Sequence, residues 1–301
     1  MHREMTGRGR WNGEMAAAAA LAMAIVTGSA PASAASLCFA RTGTIVGTPS
    51  PDVLRGTPGN DAILGLGGND VIVGRGGNDR ICGGEGADSL SGGRGRDSIE
   101  GGADGDTIDG GPGKDRVIAG TGDDSVAGGR GRDRLVGMDG NDVLNGGRGR
   151  DSITYFLARR SVHADLTRHR ASGEGIDLLL RIESVEGSPY DDVLLGSRLP
   201  NAIDGGNGSD VVDGRGGNDR LIGGRGDDRL RGRAGNDVID DSLGVAQGVY
   251  PDTGRDHLEG GLGDDRLDAV DEVGGNDMLD GSSGTDVCLA DVGDVRSSCG
   301  P

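Results

Sequence analysis

The chain has 301 residues, of which 63 are glycine and only 2% are aromatic, and its formal net charge is −18. An ordinary aromatic-rich core is excluded by that composition, and so acidic a chain has no expected nucleic-acid partner. High glycine with high net charge usually signals disorder, but here both residue types recur in register, which a disordered tail lacks.

Residues 1–34 read as a secretory signal peptide. Arg3, Arg8 and Arg10 precede an apolar run from Ala16 to Val26, and Ala32-Ser33-Ala34 fits a cleavage site. The run is short for a membrane span, so the mature chain is expected to be secreted, extracellular and without a span. Residues 35–46 would then form an N-terminal cap.

Residues 47–154 divide without insertion into twelve nonapeptides. Position six is always aspartate: Asp52, Asp61, Asp70, Asp79, Asp88, Asp97, Asp106, Asp115, Asp124, Asp133, Asp142 and Asp151. Position eight is always aliphatic, from Leu54 to Ile153, and glycine dominates positions one, two and four. One inward aliphatic per repeat suggests a six-residue loop and a three-residue strand, x-aliphatic-x. Such a strand buries nothing alone, but two nonapeptides per turn would stack each strand on the strand one turn away, at about 4.8 Å. Stacking also places aspartates in columns, where like charges repel by about 1 kcal/mol per pair even in water. A hard divalent cation between loops reverses that sign, and all-oxygen ligation in a flexible glycine loop suits calcium better than zinc.

The repeat resembles GGxGxDxUx of the repeats-in-toxin (RTX), haemolysin-type calcium-binding repeats, as in Gly83-Gly84-Glu85-Gly86-Ala87-Asp88-Ser89-Leu90-Ser91 and Gly92-Gly93-Arg94-Gly95-Arg96-Asp97-Ser98-Ile99-Glu100. The resemblance implies an all-β fold, a parallel β-roll (β-solenoid) with two repeats per turn, and multiple Ca2+ ions bound by a secreted bacterial protein.

Residues 155–186 break the frame with apolar alternation at Val162, Ala164 and Leu166 and a run from Ile176 to Ile182. They are expected to be spacer strands, longer than those of the repeats, that continue the solenoid. Six nonapeptides follow over 187–240, with position six as Asp192, Asn201, Asp210, Asp219, Asp228 and Asp237. Asn201 offers an oxygen without charge, so a weaker site is expected there. Residues 241–250 read as a surface loop, 251–289 as four less regular repeats with Asp256, Asp265, Asp277 and Asp286, and 290–301 as a C-terminal cap. All the repeat aspartates are candidate metal ligands. Several loops lack a consensus glycine, at Leu66, Arg75, Met138, Arg215 and Arg233 in position two and at Asp104 in position four.

Four cysteines, Cys38, Cys82, Cys288 and Cys299, lie beyond the signal, and an even count in an exported chain suggests two disulfides. Three pairings are possible. Cys38 with Cys82 and Cys288 with Cys299 is favoured, because each pair would tie one end of the array.

Alternate loops of the first block fall on opposite edges, and their additional charges differ. One edge carries Arg75, Arg94, Arg96, Lys114, Arg130, Arg132, Arg148 and Arg150; the other carries Glu85, Asp104, Asp123 and Asp139. These positions are either merely solvated or an interaction surface for an anionic cell-envelope polymer or for self-association. The sequence has no H-E-x-x-H, no G-x-S-x-G and no P-loop. A non-enzymatic, secreted calcium-binding protein that folds on extracellular calcium is therefore the expected function. Calcium-dependent surface adhesion or assembly is the first alternative, and a polysaccharide-active enzyme using Asp165 or Glu174 is the second.

Overall fold

The structure is a computed structural model that describes residues 44–241, 254–270 and 277–300. The expected signal peptide, Cys38, most of the N-terminal cap and nearly all of the 241–250 loop lie outside the described residues. The strands, numbered β1 (Thr44–Val46) to β28 (Val295–Ser297), form two sheets of 13 and 15 strands. Through the first block they alternate between the sheets, and each pairs in parallel with the strand one turn on: Ile63 opposite Ile81, Ile72 opposite Leu90. Eighteen residues therefore make one turn of a parallel β-roll.

The inward direction follows the strand period of two. Asp70, Ile72 and Gly74 are buried, whereas Val71 is exposed, Val73 half-buried and Arg75 exposed. Positions six, eight and one thus line the interior, giving each sheet one aliphatic row flanked by an aspartate row and a glycine row. The aliphatic rows form one continuous core from Ile63 to Cys288, with Ile45 and Leu54 of the first turn only partly covered.

The sequence predicts three-residue strands, yet most strands of the first block run for six or seven, as in β4 (Val71–Gly76) and β10 (Ser125–Gly131). Glycine has poor strand propensity, so the extension is set by neighbours. Leu66 sits opposite Gly84, and Gly129 opposite Gly147, carrying the ladder through positions one to three.

The loops without consensus glycine keep the glycine backbone. Leu66, Arg75, Met138, Arg215 and Arg233 have φ of 84°, 81°, 74°, 69° and 78°, and Asp104 has 72°. An L residue avoids this region by about 1–2 kcal/mol. Met138→Gly should therefore stabilise the folded protein by about 1 kcal/mol, read as a higher thermal midpoint. A lower midpoint would mean that the packing of the Met138 side chain outweighs its backbone strain.

The spacer differs from the sequence expectation of longer strands. β14 (His163–Asp165), β15 (Arg170–Ser172) and β17 (Ser184–Glu186) have three residues each, and β16 (Ile176–Leu180) has five. The reason is topological. β14, β15 and β16 form an antiparallel meander inserted in the second sheet between β12 (Val143–Gly149) and β18 (Val193–Leu195), so each strand is only as wide as the rungs beside it. Tyr155, Ala158, Val162, Ala164, Leu166 and Ala171 fill the interior there, joining the rows of the two blocks. At the far end, Cys288 and Cys299 are disulfide-bonded with their Cα atoms 5.8 Å apart. Cys82 is disulfide-bonded too, beside Leu64 at the other end. No helix among the described residues is long and apolar enough to cross a membrane.

Candidate metal centres

Each repeat aspartate is built into the stack by three of its four polar groups. Its N–H donates to Oδ1 of the aspartate one turn on: Asp70 to Asp88 at 2.7 Å, Asp79 to Asp97 at 2.8 Å, Asp115 to Asp133 at 2.9 Å. Its carbonyl accepts from the residue after the next column member, as in Ser89 N–H to Asp70 O at 2.8 Å. The second carboxylate oxygen has no such partner. Oδ2 of Asp70, Asp79, Asp88, Asp97, Asp106, Asp115, Asp124, Asp133, Asp142 and Asp151 is buried without a hydrogen bond among the described residues, and so is that of Asp210, Asp219, Asp237, Asp265 and Asp286.

A buried, unpaired carboxylate oxygen carries a large desolvation penalty unless a cation or donor meets it. The glycine at position one shows what surrounds it. A Cβ at Gly92 would lie 2.5 Å from Asp97 Oδ2 and 2.8 Å from Gly110 O; at Gly128 it would lie 2.8 Å from Asp133 Oδ2 and 2.7 Å from Gly146 O. Carboxylate and carbonyl oxygens of successive turns therefore converge, and glycine is required to admit them. The donor set is oxygen only, which fits calcium and excludes the sulfur and imidazole preferences of zinc.

The electrostatics point the same way. Burial raises these carboxyls above the ordinary aspartate range; backbone N–H donation opposes it and neighbouring carboxylates add to it. Asp106, Asp115, Asp142, Asp210 and Asp219 are pushed up to about 7. Asp79, Asp88, Asp124, Asp133 and Asp237 are pushed up to about 6.

Four positions of the column are arranged differently, and three of them are in the ligand set expected from sequence. Thr48, Thr57, Ser188 and Ser197 occupy position two in the opening loops of the two blocks. Thr48 donates to Asp52 Oδ2 from N–H at 2.6 Å and from its hydroxyl at 2.9 Å, and Thr57 treats Asp61 likewise at 2.6 and 3.0 Å. Ser188 donates to both oxygens of Asp192, at 2.5 and 2.7 Å. Asn201 Oδ1 accepts from Ser197 N–H and hydroxyl, while its Nδ2 donates to Glu183 O at 3.2 Å. The oxygens of these side chains already have local donors, as in a capped turn. The sequence signal was Gly-Ser/Thr in place of Gly-Gly.

Other members of the columns are not evident from the repeat frame. Asp177 Oδ1 accepts from Asp142 N–H at 3.3 Å, and Glu183 Oε2 from Asp151 N–H at 2.8 Å, so both spacer acids continue the columns. Asp177 Oδ2 also accepts from the Tyr155 hydroxyl at 3.0 Å. Asp294 Oδ1 ends one column on Asp277 N–H at 3.3 Å. Asp177 and Glu183 share a signal, an acid two residues before an inward aliphatic, Leu179 and Val185, without the glycine loop; Asp294 lacks it, since Arg296 is exposed. In the third block, Asp241, Asp256 and Asp277 are buried with ligand atoms within 4.8 Å of one another. Asp241, expected in a surface loop, takes the inward place of glycine at position one.

At the spacer junction a half-buried arginine covers a buried carboxylate. Arg215 Nη1 and Nη2 donate to Asp165 Oδ1 and Oδ2 at 2.7 and 2.9 Å, and Nη1 also reaches Gly196 O at 3.0 Å. Burial would raise Asp165, but hydrogen bonds from Arg215, Arg168 N–H and Thr167 N–H outweigh it and hold the carboxyl below its ordinary range. Glu174 is engaged separately by Arg159 N–H at 3.0 Å. Arg215→Met should cost about 3 kcal/mol in denaturant unfolding by removing the bidentate cation from buried Asp165, and Asp165→Asn in the same chain should recover part of it. Unchanged stability in the single variant would mean that water compensates the pair.

A family model described as "RTX calcium-binding nonapeptide repeat (4 copies)" matches residues 46–81, 82–117, 118–153, 186–221, 213–240, 252–269 and 274–294, well over half of the chain. No curated protein matches it.

Proposed function

Because the chain belongs to the RTX calcium-binding nonapeptide repeat family, whose repeats are a structural rather than a catalytic module, we propose that it is an exported β-roll whose folding is driven by extracellular calcium. The observation that carries this is the set of buried Oδ2 atoms without donors, repeated turn after turn. The ligands assigned are the fifteen aspartates from Asp70 to Asp286 with such an atom, together with loop carbonyls. Asp228, Asp256 and Asp277 extend their columns and are assigned with them. Asp52, Asp61 and Asp192 fall outside the set, because hydroxyl and N–H donors already satisfy their oxygens.

Calcium supplies positive charge between carboxylates of successive turns; the chain supplies the register. The Asp N–H to Oδ1 bond fixes each carboxylate's orientation, and position-one glycine leaves room for the carbonyls. Where free calcium is scarce, the mutual repulsion of the columns keeps the chain extended and exportable. The basic signal-like segment at 1–34 and the family support secretion.

Calorimetric titration tests the ligand assignment. Asp97→Asn with Asp115→Asn in one chain should reduce the number of ions bound per molecule, while Asp52→Asn with Asp61→Asn should leave it unchanged. Equal loss in both variants would contradict the distinction between orphaned and capped carboxylates.

A second reading, calcium-dependent attachment to an anionic surface or assembly between copies, is favoured by the cationic loop edge. Arg94, Arg96, Arg130, Arg132, Arg148 and Arg150 are all exposed.

A further inference from the structure

The cationic edge is a groove with a defined floor. Position-two glycines Gly93, Gly111, Gly129 and Gly147 stack on four successive turns, Gly111 opposite Gly129 and Gly129 opposite Gly147. Over Gly111, Gly129 and Gly147 the missing side chains leave a shallow, open groove along the stacking axis, bordered by Pro112, Arg130 and Arg148, with Arg181 at one end. Arg75 lies opposite Gly93 at the other end. Both terminal arginines are exposed and hold left-handed backbone, at φ of 81° and 54°.

Cations recur along this groove at the rung spacing. Position three contributes Arg94, Arg130 and Arg148, with Arg130 directly opposite Arg148. Position five adds Arg96, Lys114, Arg132 and Arg150, one per turn. None of these forms an ion pair with a described residue. A ladder of unpaired charges about 4.8 Å apart is unfavourable by itself, and a linear polyanion with one charge every rung or two relieves it.

We propose that this groove binds a linear anionic polysaccharide bearing carboxylates along its length, and that it does so only in the calcium-loaded protein. The second part rests on the calcium reading above. Without residues 1–34, which carry three basic and two acidic residues, the formal charge is −19, so ten bound ions leave the molecule net cationic. Loading therefore assembles the ladder and removes the repulsion that the unloaded chain exerts on a polyanion.

Three other partners fit less well. Residues 47–154 contain no Phe, Tyr or Trp, so the groove offers no stacking platform for nucleic-acid bases. Its only apolar border is Pro112, which provides no insertion into a lipid surface. The opposite edge is a thinner complement for self-association: of its four acids, Asp123 already accepts from Asn141 N–H at 2.8 Å and Asp139 faces Arg159 at 4.0 Å, which leaves Glu85 and Asp104 against seven cations.

The test is fluorescence anisotropy with a labelled galacturonate oligomer too short to gel with calcium, at fixed free calcium, with the full chain. The chain should bind it with an affinity that falls as salt is raised. Arg130→Gln, Arg132→Gln, Arg148→Gln and Arg150→Gln together should weaken it at least tenfold, while four Lys replacements should keep most of it. Far-UV circular dichroism and calcium titration of the same samples report the fold and the ions independently. Equal affinity in a folded, calcium-loaded Gln variant would overturn the groove. So would stronger binding of an oligonucleotide or of anionic phospholipid vesicles at matched charge, or salt-sensitive dimerisation without glycan binding. If binding persists in chelator, the calcium gate fails; if β structure also persists there, the folding reading fails while the groove stands.

Discussion

In chelator at neutral pH the mature chain should lose most of its β circular dichroism, and calcium should restore it cooperatively where magnesium does not. The expected size of the effect follows from the number of sites. A single ion at a hundredfold excess over its Kd stabilises a native state by about 2.7 kcal/mol. Three such ions already contribute about 8 kcal/mol, within the ordinary stability of a whole domain, about 5–15 kcal/mol, and six exceed it. The selectivity has a structural cause. Magnesium demands a near-ideal octahedron and keeps its water, whereas the convergent carboxylate and carbonyl oxygens of a flexible loop suit the larger ion. The interior also has little else to hold it. One aliphatic row per sheet, from Ile63 to Cys288, is a thin core, and it lies beside rows of aspartates buried to within a few percent. Full β content in chelator would show that the aliphatic rows, the ladders and the disulfides suffice, leaving calcium a secondary role.

Acid should replace calcium in part. The column carboxyls are raised by burial to about 6 or 7 in the folded chain, at Asp79, Asp106 and Asp219 for example, against 3.8 for the group in an unfolded chain. Between those values the folded apo state holds more protons than the unfolded one, so its stability falls as pH rises through the window from about 4 to 7. In chelator, β content at pH 5 should therefore exceed that at pH 8. Protons and calcium compete for the same oxygens, so calcium affinity should move in the opposite direction. Circular dichroism in chelator across this range measures the first effect. A flat or rising profile would mean that the carboxylates are charged and solvated in the apo state, and that their burial is acquired only with the ion.

Much of this architecture is legible in the sequence because one period governs everything. Nine residues with one aspartate and one aliphatic set the inward faces, and the resemblance to the RTX repeat supplies the two repeats per turn, from which the β-roll and both column sets follow. What is not legible depends on contacts between turns. The extension of strands into Gly-Gly-x comes from backbone ladders with the next turn and runs against glycine's own propensity. The local capping of Asp52 and Asp61 needs the hydroxyls of Thr48 and Thr57 within hydrogen-bond reach, and nothing in the Asp column itself signals it. Asp177 and Glu183 are hidden because they keep the acid-x-aliphatic core of the motif while losing its glycines. Arg215 reads as a poor substitute for glycine, and only the fold shows that its partner Asp165 lies across the spacer junction.

The most direct test is an anomalous difference map from crystals grown in calcium. Calcium peaks should lie about 2.3–2.6 Å from Oδ2 of Asp70 through Asp151 and from Oδ2 of Asp210, Asp219, Asp237, Asp265 and Asp286, with none against Asp52, Asp61, Asp192 or Asn201. Ordered water or protein donors on those Oδ2 atoms in place of calcium would contradict the account, and so would calcium confined to exposed loop acids.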